Sequence, residues 1–250
     1  KPDYAEAHYN LGIVFQENGR LDEAEASYRQ AVALKPDYAE AHNNLGITLK
    51  EHGRLDEAEA SYRQAIALKP DYGAAHNNLG ITLQELGRLD ETEESYRQAI
   101  AVKPDYAEAH YNLGNTFKGL GRLDEAEASY RQAIALKPDF AEAHYNSGNT
   151  LKELGRLQES EASYRQAIAL KPDYAEAHSN LGVTLKELGR LDDAEASYRR
   201  AVAAKPDYAE AHSNLGDALI ELGRHREGIK EQIVGAGVVS FHLKNGVAIL

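Results

Sequence analysis

Residues 39–72 read AEAHNNLGITLKEHGRLDEAEASYRQAIALKPDY, and most of the chain consists of near copies of this stretch. The tetrapeptide Lys-Pro-Asp-Tyr that closes it recurs every 34 residues, once with Phe in place of Tyr. Its copies begin at Lys1, Lys35, Lys69, Lys103, Lys137, Lys171 and Lys205. A fixed period of this size indicates stacked copies of one supersecondary unit. We therefore predict repeats that begin at Ala5, Ala39, Gly73, Ala107, Ala141, Ala175 and Ala209, the last one degenerate.

Each repeat is predicted to form two helices joined by a tight turn. Pro36 cannot continue a helix, so the preceding helix ends before it. Asp37 and Glu40 have the spacing of a capping box at the start of the next helix. Gly53 permits the left-handed backbone that ends that first helix. A second helix then starts near Asp56, with apolar residues at helical spacing.

A single pair of such helices cannot bury its apolar faces, so stacking on neighbouring repeats completes the core. We predict that the array occupies residues 1–237. The remaining segment, residues 238–250, is β-prone, with Val238–Leu243 and Val247–Leu250 flanking the turn sequence Lys244-Asn245-Gly246. Two interpretations of this tail stay open, the truncated start of a following domain and a disordered segment.

The composition restricts the classes of partner. The net charge of −12 argues against nucleic acid, whose binding requires clustered Lys and Arg, and equally against an anionic membrane surface. There is no Cys, and the recurrent histidines stand one repeat apart, which is too far to share a metal ion. We predict neither a cofactor, a metal site nor a catalytic site. With no signal peptide or membrane-spanning run in the sequence, a cytoplasmic location is the default expectation.

The first repeat carries a recognisable motif. Its residues are His8, Leu11, Gly12, Phe15, Ala24, Tyr28, Ala31 and Pro36. This motif resembles the signature of the tetratricopeptide repeat family, with His in place of the usual large aromatic at the first position. The resemblance covers roughly residues 1–224. It implies an all-α fold, an α-solenoid in which tandem helix-turn-helix repeats wind as a right-handed superhelix with the first helices on its inner face.

One asparagine recurs on every first helix. We call this set the amide row: Asn10, Asn44, Asn78, Asn112, Asn146, Asn180 and Asn214. Asparagine is unfavourable within a helix because its side chain competes for backbone hydrogen bonds. Since an amide offers both a donor and an acceptor, the amide row matches the peptide groups of an extended ligand. Two alternative explanations remain open. The Asn recurs through duplication alone, or its side-chain amide forms a hydrogen bond within each pair of helices.

The amide row is similar to the asparagine ladder in the repeat domains of O-linked N-acetylglucosamine transferases. That resemblance implies a role in holding protein substrates. The residue before each Asn varies between repeats, which favours tuning to a ligand, although unconstrained surface positions vary in the same way. Tyr9, Tyr111 and Tyr145 are the aromatic members of this set and complete the predicted peptide-binding site.

The sequence thus favours a protein–protein interaction scaffold that binds an extended peptide in a concave groove. The alternative is the substrate-targeting arm of a larger transferase, resembling a glycosyltransferase, whose catalytic domain is absent here. A third expectation is self-association, because the ends of a cut array expose faces that otherwise pack on another repeat.

Overall fold

The computed structural model describes residues 4–237, 241–243 and 246–248. Within these residues the chain forms fourteen helices and two short strands, arranged in two compact units, Lys1–Gly121 and Arg122–Leu250. Within each unit, the first and second helices of a repeat pack against each other. The prediction of an all-α solenoid of tandem helix-turn-helix repeats is therefore confirmed.

The helices are numbered in chain order. The first unit contains α1 (Ala5–Glu17), α2 (Leu21–Leu34), α3 (Ala39–Glu51), α4 (Leu55–Leu68), α5 (Gly73–Glu85), α6 (Leu89–Val102) and α7 (Ala107–Gly119). The second unit contains α8 (Leu123–Leu136), α9 (Ala141–Glu153), α10 (Leu157–Leu170), α11 (Ala175–Glu187), α12 (Leu191–Ala204), α13 (Ala209–Glu221) and α14 (His225–Gly235). Odd numbers are first helices and even numbers are second helices.

The turn between the two helices of a repeat forms as expected. Gly53 has a φ of +73°, in the left-handed region that favours glycine. The amide of Arg54 donates to the carbonyl of Leu49 at 2.9 Å, and the amide of Gly53 donates to that of Lys50 at 2.8 Å. This pair of bonds closes the end of α3 as a Schellman motif.

The predicted capping box is wrong. Tyr38, not Asp37, is the N-cap of α3, and it makes no side-chain capping bond. The loop before the helix is already closed by its own contacts. The amide of Tyr38 donates to the carbonyl of Lys35 at 3.1 Å, and the Lys35 ammonium lies 4.6 Å from the centre of the Tyr38 ring. Asp37 is thereby held outside the first helical turn, too early to cap it.

The core depends on a close approach between the two helices of a repeat. Tyr62 of α4 is fully buried against Gly46 of α3. A Cβ atom on Gly46 would lie only 2.7 Å from Cε1 of Tyr62, so no larger residue fits. The same arrangement recurs in the pairs Gly12–Tyr28, Gly80–Tyr96, Gly148–Tyr164 and Gly182–Tyr198.

The C-terminal segment contains two strands, β1 (Phe241–Leu243) and β2 (Gly246–Ala248). They pair antiparallel, with Phe241 opposite Ala248. Lys244 and Asn245 of the predicted turn lie outside the described residues. None of the described helices combines the length and the apolar character needed to cross a bilayer.

Candidate functional site

The first helices of consecutive repeats contact one another within each unit. These contacts join α3 to α5 and α5 to α7 in the first unit, and α9 to α11 and α11 to α13 in the second. The backbones of consecutive second helices do not approach as closely in the described part of the chain, although long side chains such as Arg63 and Glu91 meet between them at 2.9 Å. Stacked repeats curve toward the side on which their helices lie closer. We call that side, lined by the first helices, the first-helix face.

The amide row lies on this face, and its side chains bridge neighbouring repeats. Asn44 Nδ2 donates to Tyr9 Oη at 3.3 Å, and Asn78 Nδ2 donates to Asn43 Oδ1 at 3.1 Å. In each case the partner precedes the Asn by 35 residues. The same bond joins Asn112 to Asn77 and Asn180 to Tyr145, each at 3.1 Å. These amides bond between repeats rather than within one pair of helices.

The row is not uniform along its length. Asn10 on α1 is exposed, whereas Asn146 on α9 and Asn214 on α13 are half-buried. Ser179 occupies the partner position of Asn214, and no hydrogen bond joins these two side chains in the described structure. The bridging bond therefore depends on the residue that precedes the Asn of the previous repeat.

This geometry changes what the amide row offers to a ligand. The donor nitrogens of Asn78, Asn112 and Asn180 are used inside the array. Their carbonyl oxygens accept no hydrogen bond from the described residues and are not fully buried. The sequence predicts a free donor and a free acceptor at each position, and the donor half of this prediction is wrong for these three residues. The structure leaves a line of acceptors.

A groove of about 440 Å³ opens on the first-helix face of the first unit. It runs between α5 and α7, and Asn112 forms part of its wall. Its other lining residues are Ile81, Gln84, Glu85, Tyr96 and Asn115. This mixture of an aliphatic side chain, amides and one carboxylate suits the backbone and small side chains of a polypeptide.

The predicted tyrosines are partly committed to packing. The Tyr9 ring lies 4.9 Å from that of Tyr38, and the Tyr145 ring lies 4.8 Å from that of Tyr174. Burial raises the pKa of Tyr9 and of Tyr145, so both hydroxyls are neutral at physiological pH. Tyr111 is half-buried on α7. The hydroxyls of Tyr9 and Tyr145 accept hydrogen bonds from Asn44 and Asn180 of the amide row, and their rings pack against neighbouring tyrosines.

The recurrent histidines have a structural role that the sequence indicated only in outline. His178 Nε2 lies 2.9 Å from the carbonyl oxygen of Pro172. Because a carbonyl only accepts, the ring nitrogen must carry the proton. The same bond joins His42 to Pro36, His76 to Pro70, His110 to Pro104, His144 to Pro138 and His212 to Pro206. Each imidazole therefore ties a first helix to the loop before it.

A second series was missed by the sequence analysis. Glu161 of α10 accepts from Arg165 on its own helix at 3.0 Å and from Arg190 of the next repeat at 2.8 Å. Equivalent links between repeats join Glu25 to Arg54, Glu59 to Arg88 and Glu195 to Arg224, each at 2.6 Å. We call this the charge series. The fixed spacing of 29 residues between Glu and Arg was the signal available in the sequence.

Family models match the chain over most of the array. Models described as "Tetratricopeptide repeat" match residues 1–39, 9–73, 71–139 and 129–162. A model described as "TPR repeat" matches residues 148–189 and 184–223. Together these matches cover residues 1–223 without a gap. No curated protein sequence matches the chain.

Several solved structures share this fold. YrrB, described as "a TPR protein with an unusual peptide-binding site", is 22% identical with a TM-score of 0.64, covering 74% of this chain and 95% of its own. PilF of Pseudomonas aeruginosa is 19% identical with a TM-score of 0.74, covering 83% and 94%. MamA is 25% identical with a TM-score of 0.61, covering 64% and 93%. At such identities, the first two establish similarity of fold alone.

Proposed function

The chain belongs to the tetratricopeptide repeat family, and from this premise we propose that it is a protein–protein interaction scaffold that holds an extended polypeptide along its first-helix face. The observation that carries the proposal is the line of amide oxygens at Asn78, Asn112 and Asn180 that accept nothing from the described chain. The peptide-binding site named for YrrB supports the same kind of partner.

The chemistry of this face favours recognition of backbone. An amide oxygen accepts a hydrogen bond from the N–H group that nearly every residue of an extended chain presents. Packed helices lie about 8–10 Å apart and an extended chain advances about 3.3 Å per residue, so one oxygen meets roughly every third residue. Each bond contributes about 0.5–1.5 kcal/mol. Binding is therefore weak per repeat, cumulative along the array and tolerant of ligand sequence.

The test separates the acceptor from the bridging donor. We would replace Asn78 and Asn112 together by Ala, which removes both, and by Asp, which keeps oxygen acceptors. A peptide selected from a random library against the intact protein would be titrated by calorimetry. We expect the Ala pair to weaken binding by about tenfold or more, the loss of two bonds of about 0.5–1.5 kcal/mol each, and the Asp pair to retain most of it.

A matched control separates a loss of peptide binding from a loss of protein stability. Asn77→Ala removes the acceptor that Asn112 uses within the array but leaves the Asn112 oxygen in place. This variant should bind the selected peptide with nearly unchanged affinity. If the Ala pair binds like the unchanged protein, the amide row has no part in recognition.

A second proposal is that the array is the targeting arm of a larger transferase. The observation that favours it is the antiparallel β1–β2 pair, which follows α14 and does not belong to the repeat pattern. Reading the coding sequence beyond Leu250 tests it. A stop codon soon after that residue would exclude this proposal and leave the scaffold role untouched.

Self-association is a third proposal and rests on α1. Leu11 and Val14 are 43% and 51% exposed, whereas Leu45 and Thr48, which occupy the same positions of the next repeat, are buried. This apolar face suits the second helix of another copy. Light scattering over a range of concentrations should show a rising mass, and Leu11→Lys should abolish the rise.

A further inference from the structure

Cavities also open on the opposite side of the array, between consecutive second helices. One lies between α10 and α12 in the second unit and has a volume of about 350 Å³, with Leu181 in its wall. The equivalent cavity between α4 and α6 in the first unit has a volume of about 320 Å³, with Leu79 in its wall. The cavity between α8 and α10 is larger, about 470 Å³.

The larger cavity owes its size to one residue. Ser147 stands on α9 where the other two cavities have Leu79 and Leu181. Without the leucine side chain, the cavity extends inward to Leu151 and sideways to Glu127 and Arg156, which have no counterparts in the walls of the other two. Replacement of leucine by serine has thus opened a passage from the surface groove to the charge series.

The hydroxyl of Ser147 replaces an aliphatic side chain beside the cavity. The residue is only 5% exposed, but its hydroxyl oxygen is not among the fully buried, unpaired polar atoms of the described chain. Ser147 forms part of the cavity wall. Water reaches this oxygen, so a donor group of a ligand that enters the cavity can take the place of that water.

The charge series is also interrupted here. Arg156 lies 4.0 Å from Glu127, whereas the equivalent pairs Arg88–Glu59 and Arg190–Glu161 are 2.6 and 2.8 Å apart. Arg156 keeps its two bonds to Glu159, as Arg88 keeps its two bonds to Glu91, so only the link to the previous repeat is lost. The side chain of Glu127 is 11% exposed and keeps only the hydrogen bonds from Arg131. Glu127 is therefore one donor short of its counterparts.

We propose that this cavity binds a lysine side chain of a partner polypeptide. The four methylene groups of lysine suit the passage beside Ile134 and Leu151 that the missing leucine leaves open. The ammonium group carries three donors, which suits the Ser147 hydroxyl and the Glu127 carboxylate, whose hydrogen bonds come from Arg131 alone. The net charge of −12 attracts a basic partner over longer range. This site is independent of the amide row, since it lies on the second-helix side.

The test uses three short glycine-rich peptides that differ only at the central residue, which is lysine, norleucine or glutamate. Norleucine has the aliphatic stem without the charge, and glutamate reverses the charge. Binding to the full chain would be followed by NMR through the methyl signals of Ile134 and Leu151. We expect saturable shifts with the lysine peptide, an affinity at least about tenfold lower with norleucine, and no shift with glutamate.

Two variants complete the test. Ser147→Leu restores the residue found in most repeats, fills the passage and should abolish lysine binding while the fold is retained. Glu127→Gln leaves the cavity open but removes the carboxylate charge, and should weaken lysine binding by about tenfold. The proposal is overturned if the lysine peptide does not bind, if norleucine or glutamate binds as well as lysine, or if lysine binding survives both substitutions.

Discussion

At the scale of single residues, the fold depends on glycines that let a tyrosine ring lie directly on a helix backbone. Gly80 of α5 and Tyr96 of α6 illustrate the contact. Tyr96 is fully buried, and a Cβ on Gly80 would lie 2.6 Å from its Cε1 atom. The ring cannot move aside because the surrounding core is closely packed. Glycine is required here by space and not by backbone conformation.

We therefore expect Gly80→Ala to destabilise the protein by about 1–3 kcal/mol, the usual cost of overpacking a core. Urea unfolding followed by circular dichroism would measure the loss. Gly119→Ala is the matched control, since nothing lies within 4 Å of a Cβ at that position. Alanine there should be neutral or stabilise by up to about 1 kcal/mol. Equal unfolding midpoints for the two variants would contradict this account of the core.

The buried tyrosines also predict behaviour at high pH. Burial raises the pKa of Tyr28 to about 12, although a hydrogen bond with Asn44 opposes the shift, and it raises the pKa of Tyr62 and Tyr96 as well. The fold thus favours the neutral phenol. Its contribution to stability is fully present below the ordinary tyrosine pKa of about 10 and is lost as pH rises through the folded value.

Ultraviolet titration of the phenolate band should therefore show two classes of tyrosine in the native protein. The less buried class, which includes Tyr4 and Tyr38, should ionise first, though above pH 10 because the pKa of both is raised, and the buried class only at about pH 12 or above together with unfolding. In denaturant all tyrosines should ionise near pH 10. A single transition near pH 10 in a protein that keeps its helical spectrum would be inconsistent with the packing described.

At the scale of the element, each loop between repeats is closed by two side chains. Lys171 lies 4.7 Å from the centre of the Tyr174 ring, and His178 binds the Pro172 carbonyl. The loop, rather than a capping side chain, therefore sets where α11 begins. This explains why a histidine can occupy the position where the family usually carries a larger aromatic ring.

Replacing His178 by Phe should keep the packing but leave the Pro172 carbonyl without its partner. We expect a loss of about 0.5–1.5 kcal/mol, the usual net contribution of one hydrogen bond. Thermal unfolding and amide exchange in residues 171–178 would measure it. His225 offers a control because it is exposed on α14, and His225→Phe should leave both measurements unchanged.

At the scale of the element, some features could be predicted from the sequence and others could not. The period, the helix pairs and the turn at Gly53 followed from local chemistry and were predictable. The capping role given to Asp37 failed because it ignored the contacts within the loop. The engaged donors of the amide row were not predictable either, since the bond between Asn78 and Asn43 exists only after two repeats stack. The open passage at Ser147 likewise results from packing across three helices.

At the scale of the whole molecule, stability is distributed along the charge series. Burial raises the pKa of Glu161, but hydrogen bonds from Arg190 and Arg165 outweigh it, and the pKa is lowered overall. Glu195 has the same balance with Arg199 and Arg224. A lowered pKa in the folded state contributes stability above the ordinary glutamate pKa of about 4.3, and this contribution is lost as pH falls through the folded value.

We therefore expect the unfolding temperature to fall as pH is lowered through and below the ordinary glutamate pKa of about 4.3, since the Glu161 and Glu195 carboxylates, whose pKa is lowered, become protonated there in the folded state. Glu161→Gln should lower stability at pH 7 and reduce its dependence on pH in this window. Differential scanning calorimetry over the pH series would measure both effects. If Glu161→Gln left the acid dependence unchanged, the charge series would not be its source.

The constant offsets between partners have one more consequence. Asn180 donates a hydrogen bond to Tyr145, and Arg190 donates one to Glu161. The sequence separations, 35 and 29 residues, are the same as in the equivalent pairs of the other repeats. Excision of residues 175–208 would therefore offer Asn214 and Arg224 those same two partners. The shortened protein would keep the same contacts between repeats. Gain or loss of one whole 34-residue repeat is therefore the insertion or deletion that disturbs this protein least. An insertion or deletion of any other length breaks the contacts between the repeats it separates.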